Sequence, residues 1–205
     1  MVTELFFRGL VIGFAMAAPV GPIGMLVIRR TLAEGRMLGL ATGMGAAVAD
    51  ALYGCVGAFG LTFISGLLMG YALWTKLIGG LFLCYLGIST FRAMPKESGG
   101  NASNVRYAGA FLSTVLLTLA NPATILSFMA VFAGLGLGTK SGDYAGATIV
   151  VTGVFLGSAL WWLILSGSIV LLRHRLAPGI MRWINRGSGV FLFVFGATAI
   201  LSLIL

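Results

Sequence analysis

Long apolar stretches alternate with short charged ones along the chain. Gly9 to Ile28 carries no charge, and Met37 to Thr75 carries only Asp50. Leu77 to Phe91, Tyr107 to Thr139, Tyr144 to Leu172 and Gly187 to Leu205 are uncharged. A helix that crosses the hydrocarbon core of a bilayer needs about 20 mostly apolar residues. The pattern predicts six such helices, over about 5–28, 37–61, 70–91, 107–133, 144–172 and 187–205. Short segments alternating residue by residue, which a membrane β-barrel would require, are not visible. Ala15-Met16-Ala17 has the look of a signal-peptide cleavage site, but the apolar run continues to Ile28 and Glu4 makes a poor positive flank. The first helix is therefore expected to be a retained span.

Composition agrees with this pattern and narrows it. Of 205 residues, 59% are hydrophobic and 9% charged, against roughly a quarter charged in an ordinary soluble domain. A soluble globule could not cover itself with so little polar surface, and disordered chains are poor in apolar residues. Thirteen Lys and Arg against five Asp and Glu give a net charge of +8. Such a balance often signals nucleic-acid binding. Here the cations are sparse and separated by spans, so no nucleic-acid partner is expected and the partner is the lipid bilayer.

The cations instead report topology. Arg29, Arg30 and Arg36 fall between helices 1 and 2, Arg92, Lys96 and Arg106 between 3 and 4, and Arg173, Arg175, Arg182 and Arg186 between 5 and 6. Only Arg8, Lys76 and Lys140 fall on the opposite side. Cytoplasmic loops carry the excess of Lys and Arg, so the odd loops are expected inside and both termini outside. Residues 178–186 (PGIMRWINR) mix apolar side chains with arginines and resemble a short interfacial helix on an anionic leaflet. His174 lies between two arginines, and Cys55 and Cys84 fall in separate spans. That gives no metal cluster of usual ligand type, and a disulfide between apolar helix interiors is not expected. No cofactor is implied. No G-x-x-x-x-G-K-[ST] loop occurs, so ATP hydrolysis by this chain is not expected.

Residues 95–105 form the one linker-like stretch and split the chain into a first three-helix group at 1–94 and a second at 106–205. Each group opens on a helix broken by proline: AAPVGPIG, with Pro19, Gly21 and Pro22, and TLANPATI, with Asn121 and Pro122. Each second helix carries Thr-Gly beside small-residue spacings, Thr42-Gly43 after Gly35 and Gly39, and Thr152-Gly153 before Gly157. Such ladders let helix backbones approach closely and also permit a homodimer. Three is an odd number, so the second group enters from the opposite side, which makes an inverted-topology repeat.

Proline removes a backbone hydrogen bond and frees a carbonyl one turn earlier. Within hydrocarbon such a group needs protein or water as a partner. Two broken helices meeting near the midplane, one from each repeat, point to a substrate site; simple packing kinks are the bland alternative. Asp50 is the one acid deep within a span, 14 residues from Arg36, or roughly 21 Å at helical rise. Lys76 has a similar depth on helix 3. Asp50 is thus an ion-pair partner for Lys76, a proton-coupling or cation-binding carboxylate, or a group in the outer vestibule. Trp161 and Trp162 sit deeper than belt tryptophans usually do, which leaves both packing and a site wall open.

The runs from Ala18 to Gly54 and from Phe111 to Gly136 resemble the lysine exporter (LysE) family of amino-acid translocators. On that resemblance the family's Pro-Gly-Pro element maps to Pro19, Gly21 and Pro22, its helix-2 acid to Asp50, and its Asn-Pro to Asn121 and Pro122. Val20 is inserted in the first motif, and Ala123 stands where many members have Lys, so a basic-amino-acid substrate is not carried over. The resemblance implies an exporter of amino acids or similar small metabolites in an inner membrane. Asp50 and the broken helices suggest alternating access driven by the proton-motive force, with Asp50 taking a proton or the substrate's ammonium group. A cation or metal-ion exporter or channel of related 3+3 architecture is the alternative, and would call for more intramembrane acids than one. An enzyme would want a catalytic cluster, which the sequence does not suggest.

Overall fold

The computed structural model describes residues 2–19, 21–59, 72–92, 104–121, 124, 127–128, 131, 144–173 and 178–203. Its elements are all helices: α1 (Val2–Ala17), α2 (Pro22–Glu34), α3 (Arg36–Ala58), α4 (Ala72–Arg92), α5 (Asn104–Leu119), α6 (Tyr144–Arg173) and α7 (Pro178–Leu201). Among the described residues, α3, α6 and α7 are each long and apolar enough to cross a membrane, and α1 with α2 passes as one span bent by 78°. The protein is a multi-pass membrane protein.

The expected first span is therefore two helices. The break falls at the prolines, as the sequence predicts, but the second piece runs on to Glu34 rather than stopping at Ile28. Arg29 and Arg30 consequently lie in a helix and not in a loop. One residue, Gly35, joins α2 to α3, with φ at +101°. That backbone conformation suits a residue without Cβ. A second difference concerns residues 178–186. Instead of a separate interfacial helix, they open α7 without interruption. Gly187 and Gly189 do not break it, because Gly189 packs directly on the backbone of α4 at Gly87 and Phe91.

Two helix pairs approach so closely that only glycine fits between them. On α1, a Cβ at Gly9 or Gly13 would meet the backbone of Val150 or Val154 in α6. Reciprocally, a Cβ at Gly153 or Gly157 would meet α1 backbone at Phe6 and Leu10. Both helices thus present glycines four apart, the spacing that allows close crossing. The α4–α7 pair uses a spacing of seven: Gly80 faces the Gly196 carbonyl and Gly87 faces that of Gly189.

The remaining contacts bind the two halves together. α3 packs on α5 and α6, while α2 wedges against α3, α6 and α7. One cluster of buried side chains (Leu26, Val27, Ala46, Trp162 and Leu192 among them) fills the space around α2. A second, with Ile12, Tyr53, Phe128 and Val154, lies between α1, α3 and α6.

Candidate functional site

The break between α1 and α2 exposes a helix start. Gly21 caps α2 in an extended conformation without a side-chain hydrogen bond. Pro22 has no N–H, and the Met25 amide makes the first helical bond, to the Gly21 carbonyl at 3.0 Å. The Ile23 and Gly24 amides in between have no partner within the helix. Aligned peptide dipoles add about half a positive charge at such an end, which favours an anionic group.

That helix start lines a cavity of about 80 Å³ together with Met16, Ala17, Pro19, Ala46, Asp50, Thr118, Asn121, Thr124 and Trp162. Pro19, Gly21, Pro22, Asp50 and Asn121 are thus brought to one place, and the broken ends of both proline-bearing helices adjoin. Pro122 lies outside the described residues, as does the side chain of Lys76.

Asp50 is buried, and its carboxylate accepts a hydrogen bond from the Ser158 hydroxyl at 2.7 Å. Ser158 in turn accepts from the Trp162 indole N–H at 3.1 Å. The two donors sit one turn apart on α6, and Gly43 leaves room for the tryptophan, since a Cβ there would meet Trp162. Trp162 is therefore a wall of the site. Trp161 points elsewhere and packs edge-on against Phe14 at 5.3 Å.

At the second break, Tyr53 matters, and sequence reasoning passed over it. A proline at position 122 cannot donate to the Thr118 carbonyl four residues earlier. The Tyr53 hydroxyl donates to the Leu119 carbonyl at 2.8 Å and to the Thr118 carbonyl at 3.4 Å, and the Asn121 amide also reaches Thr118. Tyr53 lies one turn from Asp50 on α3, so the spacing Asp-x-x-Tyr on a span was the available signal. Ser158 offered none, being one small residue among many on α6.

A second polar cluster also escaped sequence reading. Arg30 Nη1 donates to the Thr42 hydroxyl at 3.0 Å, the Ala110 carbonyl at 3.1 Å and the Thr114 hydroxyl at 3.4 Å. Its Nη2 donates to the Ser113 hydroxyl at 3.3 Å. Nearby, Glu34 and Arg106 form an ion pair between the end of α2 and the start of α5.

A family model for LysE type translocators matches residues 14–203. The chain is 27% identical over 197 residues to a Bacillus subtilis (strain 168) protein named "Putative amino acid efflux protein YcgF", covering 94% of this chain and 93% of that one. It is 29% identical over 178 residues to "Uncharacterized membrane protein YahN" of Escherichia coli (strain K12), covering 83% and 77%. With its proline-broken first helix, its helix-2 acid and a match over nearly all its length, the chain belongs to the LysE-type translocator family of membrane exporters.

Proposed function

We propose that the protein is a secondary transporter that exports amino acids or similar small metabolites across the inner membrane. The observation that carries this reading is one cavity with two opposite poles. The buried Asp50 carboxylate is a partner for an ammonium group, and the open start of α2 is a partner for a carboxylate. A zwitterion needs both, held a few ångströms apart, away from water. The name of the Bacillus subtilis relative points the same way.

The architecture behind the reading is two inverted three-helix repeats, 1–94 and 106–205. The packing is consistent with a two-fold relation. Repeat-related partners would pair the first helix with the fifth and the fourth with the second, which are the α1–α6 and α5–α3 contacts. The third and sixth helices would meet each other, as α4 and α7 do. The cation bias supports an orientation with odd loops in the cytoplasm and both termini outside. Alternating access of the central cavity, driven by the proton-motive force, then moves substrate outward, with Asp50 exchanging a proton for the ammonium group.

Efflux of a labelled amino-acid panel from cells overproducing the chain, with Asp50→Asn beside it, tests this. Efflux above empty vector that Asp50→Asn abolishes at equal membrane abundance is the expected result. No efflux of any amino acid would overturn the transport reading. Full efflux by Asp50→Asn would overturn the coupling role.

A further inference from the structure

Beside the Asp50 cavity lies a larger one of about 210 Å³. The two share Pro22, Ile23 and Asn121 as walls, so they lie side by side with these residues between them. α4 contributes Gly79, Gly80 and Leu83 to the larger cavity, and α7 contributes Phe195, Thr198, Ala199 and Ser202. Among the described residues, none of its walls is charged. Its two hydroxyls spend their protons within α7: Thr198 donates to the Phe195 carbonyl at 3.0 Å, and Ser202 to the Ala199 carbonyl at 2.8 Å, which leaves their oxygens and Asn121 as the polar part of the wall. What remains facing the space is mostly methyl, methylene and ring surface.

We propose that this cavity receives the side chain of the exported amino acid, and that the substrate class is neutral α-amino acids with branched aliphatic or aromatic side chains. The inference rests on the zwitterion reading of the Asp50 cavity and adds what that cavity does not specify. A charged side chain entering a mostly apolar space, with no counter-charge among its described walls and few polar atoms, would be strongly penalised. An apolar side chain gains from leaving water in proportion to its buried area. Size points the same way, because a dry apolar cavity of about 150 Å³ is known to hold benzene. The space here, at about 210 Å³, takes an isobutyl, sec-butyl or benzyl group. A methyl group leaves it mostly empty, which forfeits the contact energy that a larger chain gains.

The test is competitive efflux of leucine, phenylalanine, alanine, lysine and glutamate from cells producing the full chain. Leucine and phenylalanine are expected to exceed the other three by about ten-fold, the range that a few methylenes give in an apolar pocket. Ala199→Phe, which fills the cavity from α7, is expected to lower the leucine-to-alanine and phenylalanine-to-alanine ratios by about ten-fold. Phe195→Ala, which enlarges it on an accessible face of α7, is expected to raise the phenylalanine-to-leucine ratio, and it keeps the question open to test should Ala199→Phe fail to reach the membrane. Asp50→Asn is expected to depress all substrates alike. Efflux confined to lysine or glutamate, or ratios unmoved by both α7 variants, would overturn the side-chain assignment and leave the transport reading standing. Efflux of none of the five, and of no other amino acid of the wider panel, would overturn both.

Discussion

Asp50 on α3 and Arg30, which reaches α3 from α2, are two ionisable groups inside the bundle, and they differ in what surrounds them. Thr42, which accepts from Arg30, is eight residues before Asp50 on α3, about 12 Å along the axis. The Arg30 guanidinium is tied to four neutral oxygens from α3 and α5. Three of these four bonds join the two halves of the chain, from α2 to α5. Asp50 has a hydrogen bond from Ser158 and faces a cavity. A buried charge is costly in either place, and the two sites offset that cost differently. Where protein oxygens close around the charge, the group is a fastener. Where space is left beside it, as at Asp50, the proposed function has a proton or an ammonium group complete the offset.

Substitutions can break this contrast or sharpen it. Asp50→Asn keeps the shape and removes the charge, so it should reduce efflux to vector level. The unfolding temperature in detergent should be unchanged or raised, since an isolated buried charge is removed. A fall in stability of the size expected for Arg30 would make Asp50 a fastener too. Ser158→Ala removes a hydrogen bond to a charged acceptor, typically worth about 1.5–3 kcal/mol. Efflux should fall about ten-fold, most clearly at low internal substrate, with folding intact. Arg30→Met should do the reverse. Its hydroxyl partners retain bonds to their own helix carbonyls, so no orphaned donor remains, and the loss should be about 2 kcal/mol of stability. A lowered melting temperature with efflux per folded molecule within about two-fold is the outcome to look for in a paired thermal and transport assay. Glu34→Gln breaks a partly exposed ion pair. It should cost less than about 1 kcal/mol and act only at low salt, which a melting series against ionic strength would read.

The frame of the molecule was legible because hydrocarbon imposes a strict pattern. Charge-free runs marked the helices, prolines marked the break between Ala17 and Pro22, and the lone deep acid marked Asp50. The rest depends on contacts between residues far apart in the chain. Ser158 is 108 positions from Asp50, and nothing in its own neighbourhood sets it apart from other small residues on α6. Arg30 read as a loop charge because arginines near a span end usually are. It lies inside a helix because α2 restarts at Pro22 and is carried to Glu34 by its packing on α3. Of the close-packed glycines, Gly153 and Gly157 were legible, while Gly9 and Gly13 on α1 and the α4–α7 set were not. A spacing of seven is diluted by the many other glycines of the chain. Residues 178–186 read as a surface helix from composition alone, but a helix continues wherever nothing stops it, and Gly189 is held by its neighbour.

The close crossings also constrain how the molecule can move. α1 is locked to α6 by glycines that leave no gap for sliding apart, and α2 is locked to α3 by a one-residue joint and by Arg30. On the proposed alternating access, the break between α1 and α2 is the expected pivot, and any motion there must also shift the packing of α2 and α3 on α6. Paired spin labels make this measurable. Labels on α1 and α6 should keep one separation through the transport cycle, while labels on α1 and α2 should report two.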